Sequence, residues 1–548
     1  MPLSASHPAV VLDDLTFAWP DGSVALQGIS GAFGRGRTGL TGVNGAGKST
    51  LLQLIARRLR PGSGTAYVSG TVDYLPQRLT LDVGATVADL LGVRPVVDAV
   101  RAITDGDVRA ELFDVVGDDW DAERRCVAAL AAAGLPADVD RTVAALSGGE
   151  AMLTAVVGLR LRGADVALLD EPTNNLDRDA RERLHELVRG WRGALVVVSH
   201  DLELLDLMDE TAELRAGSLA TFGGPYSEYR AWLEVQQEAA EQALRTAEQT
   251  LRRERRHRIA LEEKVAHSER QGRKDRTNRR YVPAAVRDRK NKAERSQGAR
   301  RGLADDRVVA ARAAVEAAER AVRDDDRIVV DLPDPDVPAG RWIALLTGAD
   351  GGQHLLRGPE RVALTGPNGA GKTTLLERLL HGGEMIRPPA GQAGGGTAPE
   401  VPAAASGTLL TDRVGYLPQR IDVLPDAATV LEAVREGAPD VPPGELRNRL
   451  ARLLVRGDAV HRPVATLSGG ERFRVAIARL LLADPPAQLL ILDEPTNSLD
   501  VAGTERLLEA LASYRGALLV VSHDQAFLDR LGPDRELRLD PGGVLTER

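Results

Sequence analysis

Cysteine is nearly absent from this sequence. The single Cys126 in 548 residues excludes internal disulfides and cysteine-rich zinc sites. No apolar run reaches the roughly 18 residues that a bilayer-spanning helix needs. The opening residues MPLSASHPAV lack the basic start and apolar core of a secretory signal. These absences lead to the expectation of a cytoplasmic protein. What is present is ordinary for a globular chain: 43% hydrophobic and 27% charged residues. The length exceeds what one core supports, so two or more domains are expected. The net charge of −9 does not mark a nucleic-acid binder, because the basic residues are concentrated locally.

The chain repeats itself. TGVNGAGKSTLL at 41–52 returns as TGPNGAGKTTLL at 365–376, and LSGGE occurs at 146–150 and 467–471. LLDEPTNNLD at 168–177 returns as ILDEPTNSLD at 491–500, and VVSHD occurs at 197–201 and 520–524. Lys48 and Lys372 are 324 residues apart, Ser147 and Ser468 321, Glu171 and Glu494 323. Two departures break the rhythm. The second copy carries extra sequence before Gln419, including RPPAGQAGGGTAPEVPAAASG at 387–407, whose composition predicts a disordered loop. The first copy has 70 residues from Gln77 to Ser147, against 49 from Gln419 to Ser468, room for an extra short helical arm. The expected division is a first domain at 1–232, a linker at 233–326 and a second domain at 327–548.

The linker matches neither copy. Residues 233–270 contain no Gly or Pro and are rich in helix-favouring Ala, Glu, Gln and Arg. Leu244, Leu251 and Val265 keep a seven-residue register, interrupted by Arg258; Val308, Val315 and Val322 keep another on the return. With the return segment at 307–326, this predicts an antiparallel helical hairpin, an arm of about 35 residues projecting roughly 50 Å. Its predicted tip is Gln271–Lys292, with nine Arg or Lys against two Asp. Residues 252–301 carry a net +12, which leaves −21 on the remainder.

Each copy carries the same chemistry. Gly42, Asn44, Gly45, Gly47, Lys48 and Ser49, with Thr50, fit a phosphate-binding loop opening a helix; Gly366, Asn368, Gly369, Gly371, Lys372, Thr373 and Thr374 repeat it. The glycines let backbone N–H groups approach phosphates, the lysine neutralises them, and Ser49 or Thr373 ligates Mg²⁺. The apolar runs VALLD and LLILD predict buried parallel strands that deliver Asp170 and Asp493 to the sheet edge as Mg²⁺ ligands through water. Glu171 and Glu494, one residue on, are placed to polarise an attacking water. His200 and His523 end apolar strands, where a γ-phosphate contact is expected.

With LSGGE added, the motifs resemble the ATP-binding cassette (ABC) superfamily. That resemblance implies a P-loop α/β fold used twice, ATP hydrolysis, and ATP sites shared between the copies. Site one would pair Lys48 and Glu171 with Ser468, Gly469 and Gly470; site two would pair Lys372 and Glu494 with Ser147, Gly148 and Gly149. Gln77 and Gln419, in YLPQ, match the family's glutamine that senses Mg²⁺ and the attacking water. Trp19, in FAWPDG, resembles the aromatic that stacks on adenine; the second copy has no evident counterpart in DLPDPDVPAGRWIALL. The first signature also carries Ala151 and Leu153 where the second has Arg472 and Arg474. Either site two closes differently, or these positions only pack the helix.

Two cassettes in tandem with a basic helical linker and no membrane domain resemble the ABC-F family. That implies a ribosome-binding translation factor or an antibiotic-resistance factor, monomeric through pairing of its own cassettes. Its linker would contact ribosomal RNA and tRNA near the tRNA exit site. Arg273, Lys274, Arg276, Arg279, Arg280, Tyr281, Arg287, Arg289, Lys290 and Lys292 are the candidate RNA contacts. An exporter ATPase subunit with separate membrane partners is the alternative, and it would need no basic hairpin.

Overall fold

Short apolar runs become the innermost strands. Val166–Asp170, Ala194–Val198, Leu489–Asp493 and Ala517–Val521 are buried along their whole length, as strands covered on both faces must be. The computed structural model describes residues 8–77, 79, 84–174, 176–215, 217–277, 283–321, 332–382, 404–419, 424–452, 457–467, 469–497 and 499–548. It divides into two units, one formed by Met1–Ser227 with Arg327–Arg548 and one by Glu228–Asp326.

The first unit holds both cassettes. In cassette one a six-stranded sheet runs in the order Val72–Leu75, Val166–Asp170, Ala194–Val198, Arg37–Thr41, Glu210–Arg215, Ser218–Phe222. Its first five strands are parallel and the last is antiparallel. A three-stranded antiparallel sheet, Val24–Phe33, Val10–Ala18 and Ser63–Val68, accompanies it. Cassette two repeats both sheets, with Val414–Leu417, Leu489–Asp493, Ala517–Val521, Arg361–Thr365, Arg535–Leu539 and Leu545–Glu547 in the larger one. Each cassette has two cores, one on either face of its large sheet. The parallel order brings the carboxyl ends of the central strands to one edge, where ligands bind in open α/β sheets.

The longer spacing in copy one is filled by helices Val87–Leu91, Arg94–Thr104, Ala110–Val116 and Ala122–Ala132; copy two has Val430–Arg435 and Pro443–Arg452 there. Of the predicted loop at 387–407, residues 387–403 lie outside the described residues. Its end is corrected: Ser406 and Gly407 begin a strand, Ser406–Leu409, that pairs with Trp342–Thr347. The small Gly407 lets the strand lie against Leu379, whose Cδ1 would be 2.7 Å from a Cβ there.

The second unit is two helices, Tyr226–Thr277 of 52 residues and Pro283–Ala321 of 39. They are longer than the 35-residue expectation, about 78 and 58 Å. The first helix begins earlier, at Tyr226, and both extend into the basic stretch, where Arg and Lys favour helix, the first to Thr277 and the second from Pro283. Leu233, Gln237, Ala240, Leu244, Ala247, Leu251 and Glu254 form a less exposed seam on the first helix. Ala304, Val308, Ala311, Val315 and Ala318 do so on the second, with Ala311 and Val315 buried. Alternate spacings of three and four are the coiled-coil pattern. Arg258, which interrupts the register, reaches Glu262 at 3.2 Å and Asp305 at 3.6 Å, so the seam turns from apolar to ionic towards the basic end. Residues Arg279, Arg280 and Tyr281 lie outside the described residues, as do the side chains of Val265, Arg273, Lys274, Arg276, Arg287, Arg289, Lys290 and Lys292. Val322 lies outside as well.

Candidate functional site

Each phosphate loop ends in a glycine with positive φ, Gly47 at 94° and Gly371 at 91°, a conformation that glycine adopts without strain. The helices Lys48–Ile55 and Lys372–Leu380 start there. Both lysines are buried, 7% exposed, and fold back on their own loops. Lys48 Nζ donates to the Gly42 carbonyl at 2.6 Å, and Lys372 Nζ to those of Gly366 and Pro367 at 2.8 and 3.1 Å. Burial lowers the pKa of both, while the neighbouring carboxylates oppose it.

The strand-end carboxylates meet the loop hydroxyls. Ser49 Oγ donates to Asp170 Oδ1 at 3.0 Å, and Thr373 Oγ1 to Asp493 Oδ2 at 2.9 Å. Burial raises the pKa of both aspartates. Glu171 and Glu494 have φ of 50° and 49°. Non-glycine residues seldom hold such values, and strained positions cluster at functional sites. The matched strain in the two copies arises at the sharp turn out of each central strand, and it fixes where the glutamates sit.

The two glutamate–histidine pairs differ. In site one His200 Nε2 lies 3.0 Å from Glu171 Oε1. In site two Lys372 Nζ is 3.0 Å from His523 Nε2. An ammonium only donates, so that nitrogen accepts and cannot also donate to Glu494 Oε1, 3.4 Å away. Burial, with Lys372 and Arg181 nearby, lowers His523 to about 4, so the contact is not an ion pair. Burial raises Glu494 to about 7, against the pull of Lys372.

The cassettes are joined head to tail at these loops. The Asn44 N–H donates to Asp500 Oδ2 at 2.9 Å, and the Asn368 N–H to Asp177 Oδ2 at 3.3 Å. A Cβ at Gly470 would lie 3.6 Å from Asn44 Nδ2, so the second LSGGE stands beside the first phosphate loop. Gly469 starts the helix Gly469–Leu481; Ser468 lies outside the described residues. In the first signature Ser147 caps the helix Gly148–Arg162. Its side chain accepts from the Glu150 N–H while Glu150 Oε2 accepts from the Ser147 N–H. This reciprocal cap explains a serine three residues before a glutamate, with Gly148 and Gly149 forming the helix's first turn.

Other sequence candidates are placed less centrally. Gln77 and Gln419 are exposed, two residues past Leu75 and Leu417, which pair with Leu169 and Leu492 beside the aspartates. Trp19 is 40% exposed and meets Phe17 edge-on at 5.0 Å. Thr50 is buried and Thr374 exposed. Ala151 is buried, and Leu153 lies in the core of cassette one. Arg472 donates to the Val464 carbonyl at 3.3 Å and pairs with Asp426. Those observations favour the packing reading of the signature difference.

Sequence reasoning missed Asp177, Asp500, Tyr74 and Arg181. The aspartates sat in the quoted repeats, but their partners are in the other cassette. Each also caps a helix, accepting from Ala180 and Gly503 N–H groups. Burial disfavours charge on Asp500, but the hydrogen bonds from Asn44 and Gly503 outweigh it and hold its pKa low. Tyr74 donates to Asp170 Oδ2 at 3.0 Å. Arg181, replaced by Thr504 in the second copy, lies 3.6 Å from Asp201 and acts electrostatically on Glu494, His523 and Asp524.

Glu171 Oε2, Asp493 Oδ1 and Glu494 Oε1 are buried without a hydrogen-bond partner. Buried carboxylate oxygens are rarely left so. Beside a lysine and a row of loop N–H groups, they fit a metal-bound polyphosphate and a water.

The comparisons agree with this geometry. The family model described as ABC transporter matches residues 26–174 and 355–497. The chain is similar to the tylosin resistance ATP-binding protein TlrC of Streptomyces fradiae, 35% identical over 94% of this chain and 95% of that protein. It is also similar to the energy-dependent translational throttle protein EttA of Mycobacterium tuberculosis, 28% identical over 95% of this chain and 87% of that protein. Among solved structures, the archaeal ribosome recycling factor aABCE1, in complex with the stalk protein aP1, has a TM-score of 0.51. It is 20% identical, covering 97% and 89% of the two chains, a likeness of fold alone. Among the described residues no helix is long and apolar enough to cross a membrane.

Proposed function

The chain belongs to the ABC-F family of tandem ATP-binding cassette proteins, and from that premise we propose that it is a cytoplasmic, ribosome-associated ATPase. It binds ATP between its cassettes and uses its basic helical linker to engage ribosomal RNA and tRNA near the tRNA exit site. The observation that carries this reading is the linker. In sequence between the cassettes come helices of 52 and 39 residues, with a net +12 over residues 252–301. Such a concentration of charge on an acidic body favours a phosphate backbone as partner.

At each ATP site the residues divide the work. The N–H groups of the loop and Lys48 or Lys372 hold the phosphates. Ser49 with Asp170, or Thr373 with Asp493, would hold Mg²⁺, together with Gln77 or Gln419. The metal ion would neutralise charge on the phosphates as the γ-phosphoryl group leaves. Glu171 and Glu494 orient and polarise the water, and His200 and His523 contact the γ-phosphate. Gly469 and Gly470, with Ser468, complete site one; Ser147, Gly148 and Gly149 complete site two. Asp500 and Asp177 couple each loop to the opposite cassette, so occupancy of one site is felt in the other.

Antibiotic resistance through ribosome protection is the more specific role. What favours it is the match to a tylosin resistance protein over nearly the full length of both chains. Co-sedimentation of the Glu171→Gln, Glu494→Gln chain with ribosomes in ATP, alongside tylosin susceptibility of cells carrying the wild-type chain, tests both levels. Failure to co-sediment would overturn the ribosome reading; binding without any change in susceptibility would leave a general translation factor.

A further inference from the structure

The two strand-end aspartates are not equally free. Tyr74 pairs with Leu168 and Tyr416 with Ile491, each two residues before the aspartate that ends its strand. The two phenols start from the same place, yet only one reaches its aspartate. Tyr74 donates to Asp170 Oδ2 at 3.0 Å while Ser49 donates to Oδ1 at 3.0 Å, so both oxygens of Asp170 are taken. In cassette two Thr373 donates to Asp493 Oδ2 at 2.9 Å, and Oδ1 is buried with no hydrogen-bond partner.

The surroundings of the two phenols differ accordingly. Gln53 lies five residues after Lys48, and Glu377 five after Lys372. Gln53 hydrogen-bonds to the Tyr74 hydroxyl, and the Arg58 guanidinium lies over the Tyr74 ring, 4.9 Å from its centre. Burial and the charge of Asp170 push the Tyr74 pKa up, so the phenol keeps its proton and donates. In the second copy Gly382 takes the position of Arg58, and Glu377 puts a carboxylate where Gln53 puts an amide. Burial raises the pKa of Asp493, and the charge of Glu377 adds to the rise.

We propose that Tyr74 is a positioning residue that occupies Asp170, and that the two sites therefore take up Mg²⁺ unequally, site two filling at a lower concentration than site one. The proposal rests on the reading of both loops as Mg²⁺-nucleotide sites. A hydrogen bond donated to a carboxylate stabilises its charge and lowers its affinity for a proton, and by the same electrostatics for a cation; a neighbouring carboxylate raises both. One charge-assisted hydrogen bond is worth about 10- to 100-fold in an equilibrium constant. Glu377 is exposed, so its charge is screened and adds less, about two- to fivefold.

Binding of a fluorescent, ribose-labelled, non-hydrolysable ATP analogue at fixed concentration, in solutions buffered at rising free Mg²⁺, reads metal uptake without turnover. The wild-type chain should bind in two steps separated by about tenfold or more in Mg²⁺. Tyr74→Phe removes the donor and keeps the ring, so the upper step should move down towards the lower one. Damage to the fold would move it up, which separates the two causes. Tyr416→Phe should shift neither step, because that phenol makes no bond to its aspartate, and Glu377→Gln should move only the lower step, up by about two- to fivefold. A single step in the wild-type chain, or an upper step that Tyr74→Phe leaves in place or raises, would overturn the proposal while leaving the two-site reading intact. If Mg²⁺ promotes no binding of the analogue at any concentration, the two-site reading itself fails and the proposal with it.

Discussion

Asp500→Asn should loosen the ATP-bound state without unfolding cassette two. Asp500 uses both oxygens, Oδ1 for the Gly503 N–H at 2.7 Å and Oδ2 for the Asn44 N–H of the other cassette at 2.9 Å. Asparagine caps a helix as well as aspartate does, so its one oxygen can keep Gly503. Its amide NH₂ then faces the Asn44 N–H, donor against donor. The loss is one charge-assisted hydrogen bond, about 1.5–3 kcal/mol, or roughly 10- to 100-fold in the equilibrium that brings the cassettes together. Asp177→Asn is the internal comparison. Its bond to Asn368 is longer, 3.3 Å, so it should cost less, about a few-fold. Energy transfer between dyes on the two cassettes, titrated with ATP in the Glu171→Gln, Glu494→Gln background, reads closure directly. Thermal unfolding reads the cap. The reasoning is refuted if Asp500→Asn closes at the wild-type ATP concentration, or if its melting temperature falls as far as that of Asp500→Ala.

Other expected outcomes follow from the same geometry. Glu171→Gln with Glu494→Gln should keep ATP binding and lose about 100-fold or more of hydrolysis; undiminished turnover in a phosphate-release assay would remove both glutamates from the mechanism. In the Glu171→Gln chain, residual hydrolysis should rise with pH through about 7, because Glu494 must lose its proton to act as a base. His523, held near 4, stays neutral across that range, and a flat profile between pH 6 and 8 would contradict the assignment. Changing Arg273, Lys274, Arg276, Arg279 and Arg280 to Glu should spare basal ATPase, weaken ribosome binding and make its salt dependence shallower. An unaltered salt slope would mean that this stretch does not touch RNA.

The nucleotide chemistry was legible in the sequence because it is local. A glycine-rich loop needs particular backbone angles within a few residues, and VALLD or LLILD needs only burial on both faces to deliver its carboxylate. Duplication then removed the ambiguity that each motif carries alone. The hairpin was legible in kind, since helix propensity and a seven-residue register are also local, but its length was not: the first helix runs on to Thr277 and the second already begins at Pro283. Tertiary structure decided what depends on distant partners. Asn44 and Asp500 are 456 residues apart, and nothing near either announces the other. Gly348 was matched to Trp19 by the hydrogen bonds of their turns; the shared Asp-Gly pairs, Asp21-Gly22 and Asp350-Gly351, are too short a signal to stand alone. Whether Ala151 and Leu153 face a ligand or a core, and how far burial lifts Glu494, are set by which surfaces lose water when the whole chain closes around them.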